Sequence, residues 1–232
     1  MLTKHSISNI NVAGDTIQVG NCIKYLGASL DSTLSFKNFI SQKCKTAALN
    51  IRNITQIPKF IDLKLAKQLA VALVLSHLDY ANSILSGLRA TTIKPLQRVQ
   101  NWAARVVLGR SRLDSAKEAL MELHWLPVVE RIDFKIACLV FKCKYDLAPP
   151  ALSSTITSKS FTRVTRAATK TNQDLQVPIT KKKTFASRAF SVHGPELWNS
   201  LPNQLRSITE YKPFKKGLKT FLFKRAFRLS TD

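Results

Sequence analysis

The acidic residues of this sequence are few, and their spacing does not form a metal centre. Enzymes that use two metal ions bring at least two carboxylates together around them. Only 14 Asp and Glu occur among 232 residues, with no Asp-Asp pair and no Asp-x-Asp. Glu118 and Glu122 are interpreted as part of a lysine-flanked helix surface, and His124 supplies no third ligand in register. We therefore predict no catalytic site and no metal site.

The cysteines also lack a spacing that binds zinc. Cys138 and Cys143 lie on one predicted helix, where about 500° of rotation separates them and turns them to different faces. Neither a glycine-rich P-loop nor a Gly-x-Ser-x-Gly nucleophile elbow is present. Free thiols are typical of a reducing compartment, and we expect the nucleus, the cytoplasm or both. The free thiols would be Cys22, Cys44, Cys138 and Cys143.

The chemistry that the sequence does offer is cationic. Thirty-six Lys and Arg give a formal net charge of +22 and a pI near 10.2. A charge of this size repels itself in a compact fold and favours a polyanionic partner. Nucleic acid is the first candidate, and peripheral contact with an anionic membrane surface is the second. We expect no transmembrane segment, because the longest nearly apolar run, Leu69 to Leu75, is far short of the roughly 20 residues that cross a bilayer.

One predicted helix carries its cations in a row along one face. Successive members are separated by four, three, four and seven residues, so each step returns to the same side of the helix. The alternative is a solvated face, but such faces usually mix signs, and no acid occurs between Ala90 and Leu113. A basic row beside an aromatic residue can follow a phosphate backbone and stack on a base. The predicted nucleic-acid contacts are Lys94, Arg98, Asn101, Arg105 and Arg112, with Trp102 at the border of the row.

Two further predicted helices repeat this arrangement. The helix that opens at Pro127 places Arg131 and Lys135 on one face, although Glu130 and Asp133 dilute the charge. The last helix combines an apolar stripe with many lysines. Basic amphipathic helices also bind membranes and acidic partner grooves, so a protein- or membrane-interaction module is an alternative function. The predicted nucleic-acid contacts of the last helix are Lys212, Lys216 and Lys219.

The elements that carry these residues predict a mainly α fold, a helical bundle with a small N-terminal antiparallel β-hairpin or sheet. Alternating apolar residues around Gly14-Asp15 indicate the hairpin, and the run from Cys22 to Leu30 could add a third strand. Ser35 is expected to cap the first helix, whose apolar residues recur every three or four positions from Phe36 to Ile51 and which Pro58 is expected to end or interrupt. The next predicted helix runs from about Ile61 to His77, is apolar on most sides and is expected to be central to the core. Pro149-Pro150 are expected to stop the helix that begins at Pro127.

Changes of composition divide the chain into four predicted segments. Residues 1–33 hold the strands, 34–150 the main bundle and 184–232 a smaller helical piece with the basic amphipathic helix. Between them, 151–183 is rich in Ser, Thr, Lys and Arg and keeps neither helical nor strand periodicity. It is predicted to be a basic linker with a short strand at Leu175 to Ile179. Whether 184–232 packs on the main bundle stays open at this point.

Seven short segments, in order along the chain, resemble one family. They are similar to segments of the reverse transcriptases of non-LTR (LINE-type) retrotransposons, and the resemblance covers nearly the whole chain. The segments are IKYLGASLD at 23–31, HLDYA at 77–81, LQRVQNWAAR at 96–105, HWLP at 124–127, LAPP at 147–150, RAFS at 188–191 and LWNSLP at 197–202.

The resemblance implies a place within such a polymerase. Lys24, Tyr25, Leu26 and Gly27 would belong to the hairpin that approaches the primer end, the primer grip. Gly27 would let the backbone come close to nucleic acid. The helices that follow would form a thumb-like bundle, which holds an A-form-like duplex by its backbone and shape. The expected partners are RNA, an RNA–DNA hybrid or DNA.

The catalytic YxDD strand of these polymerases lies upstream of the KYLG segment, and nothing like it occurs here. The resemblance therefore implies a non-catalytic fragment of an RNA-directed DNA polymerase, inactive alone, such as a truncated genomic copy encodes. No cofactor is expected on this chain, and Mg²⁺ is expected only in the full polymerase. The enzyme alternative is a polymerase half that needs a palm supplied in trans by another chain.

Overall fold

The fold is mainly α, as predicted, with paired strands near the N-terminus. The computed structural model describes residues 9–18, 20–57, 61–159, 174–180 and 186–229. Short 3₁₀ turns at Asn82–Leu85 and Ala186–Arg188 join some of the helices. The helices are α1 (Lys37–Thr55), α2 (Leu63–Ala70), a π-helical turn (Val71–Leu75), α3 (Ser76–Asp79), α4 (Ala90–Val107), α5 (Ala116–Glu122), α6 (Val128–Lys144), α7 (Pro150–Ser153), α8 (Phe190–Asn199), α9 (Asn203–Arg206) and α10 (Tyr211–Phe227).

Two separate antiparallel hairpins form the N-terminal β-structure. Each hairpin turns through two residues with positive φ, Ala13-Gly14 and Leu26-Gly27, as in the type I′ turns that match strand twist. Because Leu26-Gly27 makes a turn, the run from Cys22 to Leu30 folds back on itself and adds no third strand to the first hairpin. Strand β1 (Asn9–Val12) pairs with β2 (Asp15–Gln18), and β3 (Cys22–Tyr25) pairs with β4 (Ala28–Asp31).

Asp31 shapes the connection between β4 and α1. Its carboxylate accepts hydrogen bonds from the backbone amides of Ser35 (2.9 Å) and Phe36 (2.8 Å) and from the hydroxyl and amide of Thr33. These bonds, led by the Thr33 hydroxyl, favour the ionised form and hold the pKa of Asp31 well below its usual range. The prediction that Ser35 caps α1 is wrong. Phe36 precedes the helix in a left-handed conformation, and the Ser35 hydroxyl donates to Asp31 instead.

Helix α2, the π-helical turn and α3 follow one another without a break and correspond to one predicted helix. The side chain of Asp62 caps the start by accepting a hydrogen bond from the amide of Leu65 at 2.8 Å. Val74 and Leu78 are buried, as expected for a helix central to the core. Pro58, which was expected to end the preceding helix, lies outside the described residues.

Amide side chains join α4 to the start of α6. Gln100 is fully buried and donates to the carbonyl of Leu126 at 2.8 Å. The side-chain oxygen of Gln97 accepts from the amide of Val128, also at 2.8 Å. Because a buried polar group without a partner costs about 1–3 kcal/mol, these bonds restrict how the two helices pack. Pro127 immediately precedes α6, as predicted.

Helix α6 ends earlier than predicted. It ends at Lys144, and Asp146 adopts a left-handed backbone conformation with φ of 54°. Pro149 and Pro150 were expected to stop α6, but α6 ends before them. They lie instead at the start of α7. Pro150 lies in the first turn of α7, where a missing backbone N–H removes no helical hydrogen bond.

The linker contributes one buried residue to the fold. Leu175 forms a single antiparallel bridge with Ser158. The side chain of Asn199 accepts from the Leu175 amide (2.8 Å) and donates to its carbonyl (2.9 Å). The predicted strand from Leu175 to Ile179 is reduced to this one bridge. Residues 160–173 and 181–185 of the predicted linker lie outside the described residues.

The C-terminal helices pack on α6 through an aromatic cluster. Phe141 of α6, Trp198 of α8 and Phe214 of α10 are fully buried. The ring centroids of Phe141 and Phe214 are 4.5 Å apart. The described helices on either side of the linker therefore share one hydrophobic core.

None of the helices in the described ranges combines the length and apolar character that crossing a membrane requires.

Candidate nucleic-acid interface

A groove lies between α1 and α4, which pack against each other. Both helices bury an apolar face in the core, with Ala47 and Ile51 on α1 and Leu96 and Ala104 on α4. Beside these faces the two helix surfaces leave an open cavity of about 980 Å³. We call this cavity the basic groove.

Cations from α1, from α4 and from the segment after α4 line the basic groove. No Asp or Glu is among the described residues that line it. A polyanion in this groove therefore meets six cationic side chains and no acid among the described lining residues, and a cleft of one charge sign concentrates the field. The cations are Lys45 and Arg52 of α1, Arg98 and Arg105 of α4, and Arg110 and Arg112 of the following segment.

Two of these cations have hydrogen-bond partners within the protein. The Nε of Arg105 donates to the carbonyl of Asp114 at 2.9 Å, and Arg110 forms an ion pair with Glu122 at 2.5 Å. The neutral carbonyl positions Arg105 without cancelling its charge, whereas Glu122 offsets the charge of Arg110. The other four cations form no ion pair with any described residue, so their charge is available to a ligand.

Trp102 and Asn101 also line the basic groove. Trp102 is half-buried, so part of its ring packs against the core while the rest borders the groove. An indole beside arginines is a surface on which bases stack. The side-chain oxygen of Asn101 accepts from Gln97 at 2.7 Å, which leaves the Asn101 amide nitrogen as a donor.

The basic groove continues along α1. An adjoining cavity of about 420 Å³ shares Ser41 and Cys44 with the groove and is also lined by Lys37 and Thr91. From Lys37 to Arg52 the helix rises about 22 Å, at roughly 1.5 Å per residue. That length matches on the order of six phosphates of a duplex strand at about 3.4 Å each.

The sequence predicted the α4 side of the groove and missed the α1 side. Every predicted residue of the α4 row lines the groove except Lys94, which is exposed and lines neither cavity. Lys45 and Arg52 were missed because α1 was interpreted from its apolar face alone. Their separation of seven residues, two helical turns, was the available signal. The packing of α1 beside α4 brings both sets of cations to one groove.

Arg131, a predicted contact on α6, has its charge balanced inside the protein. Its Nε donates to Oδ1 of Asp79 at 2.8 Å, and a second guanidinium nitrogen donates to Oδ2. A two-point pair of this kind is strong and oriented. Arg131 is therefore excluded from the proposed interface.

The predicted cations of α6 and α10 lie elsewhere on the surface. Lys135 and Lys219 line a cavity of about 550 Å³ between α2, α6 and α10, which we call the second cleft. Lys212 and Lys216 are exposed on α10 and line neither the basic groove nor the second cleft. The predicted contacts therefore divide between two surfaces.

The KYLG segment forms the turn of the second hairpin and rests on Tyr80. Lys24, Tyr25 and Leu26 are exposed, and the Tyr80 hydroxyl donates to the carbonyl of Leu26. A Cβ on Gly27 would lie 3.4 Å from atoms of the Tyr80 ring. Tyr80 thus lies close to Gly27 from within the protein, and the approach to nucleic acid that the resemblance implied stays a prediction.

Lys43 holds the backbone around Tyr80. Its buried ammonium group donates to the carbonyls of His77 (2.5 Å) and Tyr80 (2.6 Å) and lies 4.7 Å from the centre of the Phe39 ring. Burial lowers the pKa of Lys43 to about 8, and the nearby carboxylate of Asp79 opposes this shift. Lys43 therefore joins α1 to α3 and is not an additional phosphate contact.

The chain matches none of the protein-family models, curated proteins or solved structures with which it was compared. Within the described residues, no three His, Cys, Asp or Glu side chains are grouped so that they could hold a metal ion.

Proposed function

We propose that this chain binds the phosphate backbone of RNA or of an RNA–DNA hybrid in the basic groove, as a non-catalytic part of a retrotransposon RNA-directed DNA polymerase. The observation that carries the proposal is the groove itself, where six cations from two helices and a following segment meet no acid among the described lining residues. Such a site gains most from a ligand with regularly repeated negative charges. DNA has the same backbone chemistry and is a further ligand of this class.

The residue types in the groove favour recognition of the backbone over recognition of base sequence. All of its cations except Lys45 are arginines, whose planar guanidinium groups bind phosphate oxygens through two N–H donors. Trp102 lies among them and can stack on any base. In an A-form duplex the base edges of the deep groove are out of reach, so backbone and shape carry the binding. We expect an affinity that depends little on sequence and steeply on salt.

The resemblance to non-LTR reverse transcriptases supports the same proposal. Its third segment, LQRVQNWAAR at 96–105, lies within α4. This segment contains Arg98, Trp102 and Arg105, all of which line the basic groove. The resemblance implies a thumb-like region that holds a primer–template duplex, and the groove offers the cations for that task.

The proposed role contains no chemical step by this chain. Polymerases hold Mg²⁺ between converging carboxylates, and the acids among the described residues are not grouped in this way.

The membrane alternative has less support. A helix that lies on a bilayer inserts an exposed apolar face into it. The apolar residues Phe214, Leu218 and Leu222 of α10 are instead fully buried in the core. Binding a membrane with this face would require α10 to leave the core.

A specific observation favours a protein contact as a second candidate function. Ile10 and Val12 on the first hairpin and Ile23, Tyr25 and Leu26 on the second are 49–75% exposed. A polymerase palm supplied in trans would cover such side chains. Primer extension on a hybrid substrate tests this candidate. Extension that needs both chains would support it, whereas extension by this chain alone would contradict the non-catalytic assignment.

Fluorescence anisotropy of the full chain with a labelled RNA–DNA hybrid tests the proposed function. Variants on the α1 side of the groove give the sharper test, because only the structure, and not the predicted row on α4, places the cations of α1 in the groove. Replacing Lys45 and Arg52 with Gln should weaken binding roughly tenfold at low salt, equally for hybrids of different sequence. No binding by the unmodified chain would overturn the proposal.

The matched control is K64Q/K117Q. It removes two exposed lysines that line neither the basic groove nor its extension, so the loss of net charge is the same. This control should weaken binding much less than K45Q/R52Q. Equal losses would show that net charge alone determines binding and would contradict a role for the groove.

A further inference from the structure

The second cleft gathers cations from three helices around a partly apolar wall. Trp125 and Phe134 contribute apolar surface to it. At its exposed edge, the ring of His124 lies against Phe223 with a centroid distance of 5.7 Å. The lysines that line the cleft are Lys67 of α2, Lys135 of α6, and Lys215 and Lys219 of α10.

The second cleft carries an excess of positive charge, because its one acidic lining residue is already paired with an arginine. Asp79 is the one acid among its described lining residues, and both of its carboxylate oxygens accept from Arg131. These two charges cancel each other. The four lysines form no ion pair with any described residue. The cleft therefore offers four uncompensated positive charges to a ligand.

The second cleft adjoins the basic groove at the end of α5. Arg110, which lines the groove, pairs with Glu122 in the last turn of α5 at 2.5 Å. His124 lies two residues further along the chain and lines the cleft. Two residues span at most about 7 Å, so the edges of the two cationic surfaces come close together at this point.

We infer that the second cleft is a second phosphate-binding site for the same nucleic acid that lies in the basic groove, so that one strand crosses the end of α5. This inference rests on the proposed function. A polyphosphate chain fits because its repeated charges can contact both acid-poor surfaces, and the crossing point between them is neutral where Glu122 pairs with Arg110. The exposed ring of His124, supported by Phe223, offers a stacking surface at the crossing point.

A series of oligonucleotide lengths tests the inference in the full chain. A single strand of about six nucleotides can occupy the groove alone, whereas one of about 24 nucleotides can reach both surfaces. The K215Q/K219Q variant should bind the short strand as the unmodified chain does. For the long strand it should lose roughly tenfold in affinity, because two phosphate contacts disappear.

The control for this experiment is K212Q/K216Q, which removes the same charge from the same helix outside the cleft. A smaller effect of this control on the long strand supports the cleft, and an equal effect overturns it in favour of a general basic helix surface. An equal loss for short and long strands in K215Q/K219Q also overturns the second site. Urea unfolding midpoints of both variants at the unmodified value would show that the fold is retained.

Two other outcomes separate the inference from the function on which it rests. If K215Q/K219Q left long-strand binding unchanged but weakened binding of a polyglutamate peptide, the cleft would belong to an acidic protein segment while the groove kept its role. If the unmodified chain bound no strand of any length, the proposed function and the inference would fail together.

Discussion

The dependence of binding on salt tests how many groove cations make the proposed contacts with phosphate. Each contact releases condensed counterions, so the logarithm of the association constant falls with the logarithm of salt concentration by about 0.9 per contact on a duplex. Four contacts predict a slope of about −3.6, which is a loss of about 150-fold in affinity between about 50 mM and about 200 mM salt. The four contacts are counted from the groove cations whose side chains form neither an ion pair nor a hydrogen bond with any described residue, which are Lys45, Arg52, Arg98 and Arg112.

The variant R98Q/R112Q removes two of these four proposed contacts. The slope for a duplex should then fall to about −1.8, and the loss of affinity over the same salt range should fall to about 12-fold. Fluorescence anisotropy titrations at several salt concentrations give both slopes. Circular dichroism melting shows whether the variant keeps the fold, which is expected because neither side chain is buried.

A control variant with unchanged net charge distinguishes the loss of phosphate contacts from the loss of net positive charge. Arg110 and Glu122 form an ion pair at the edge of the groove, so R110Q/E122Q removes a groove cation without changing the net charge. Its slope should stay near that of the unmodified chain. A slope of about −3.6 in R98Q/R112Q, or a comparable decrease in the neutral control, would refute the assignment of phosphate contacts.

Three further predictions concern the fold that holds the groove. Gly27→Val should increase hydrogen exchange of the β3–β4 amides more than Gly14→Val increases that of the β1–β2 amides. Both glycines have positive φ, but only Gly27 lies against Tyr80. Equal increases in the two hairpins would argue against that contact. Between pH 8 and pH 10.5 the unfolded chain binds more protons at Lys43 than the folded chain does, so Lys43 should contribute a rise in stability of up to about 3 kcal/mol across this window. In K43M the urea midpoint should lose this part of the rise, and parallel pH profiles would show that Lys43 is not responsible. Phe214→Ala should lower the unfolding free energy by about 3–5 kcal/mol in a single transition, whereas a separate early transition would mean that α10 does not unfold with the bundle.

Helices were predictable where local spacing decides their structure. The periods of three and four residues identified α1, α4 and α6, and Pro127 marked a start that the structure confirms. The predicted cap at Ser35 failed because Asp31 reaches the same amides from the end of β4. Capping by a residue outside the helix depends on how the preceding hairpin folds, and helical periodicity does not carry that information.

The sequence shows which helix faces carry cations but not which acids pair with those cations. The sequence shows that Arg131 shares a face with Lys135, but Asp79 lies 52 residues away along the chain and reaches Arg131 only after α3 packs beside α6. Gly27 shows the same limitation. The resemblance implied an approach to nucleic acid at this residue, whereas the packing of Tyr80 against it is visible only in the fold.

The sequence by itself determined the excess of cations, their row on α4 and the helical periods that carry them, because these properties depend on residue type and spacing within one element. Only the tertiary structure decided that Lys45 and Arg52 join that row in one groove and that Lys215 and Lys219 meet Lys135 in another cleft. The reason is physical. The buried faces of α1, α4, α6 and α10 set the packing, and the positions of the cations on the opposite faces follow from that packing.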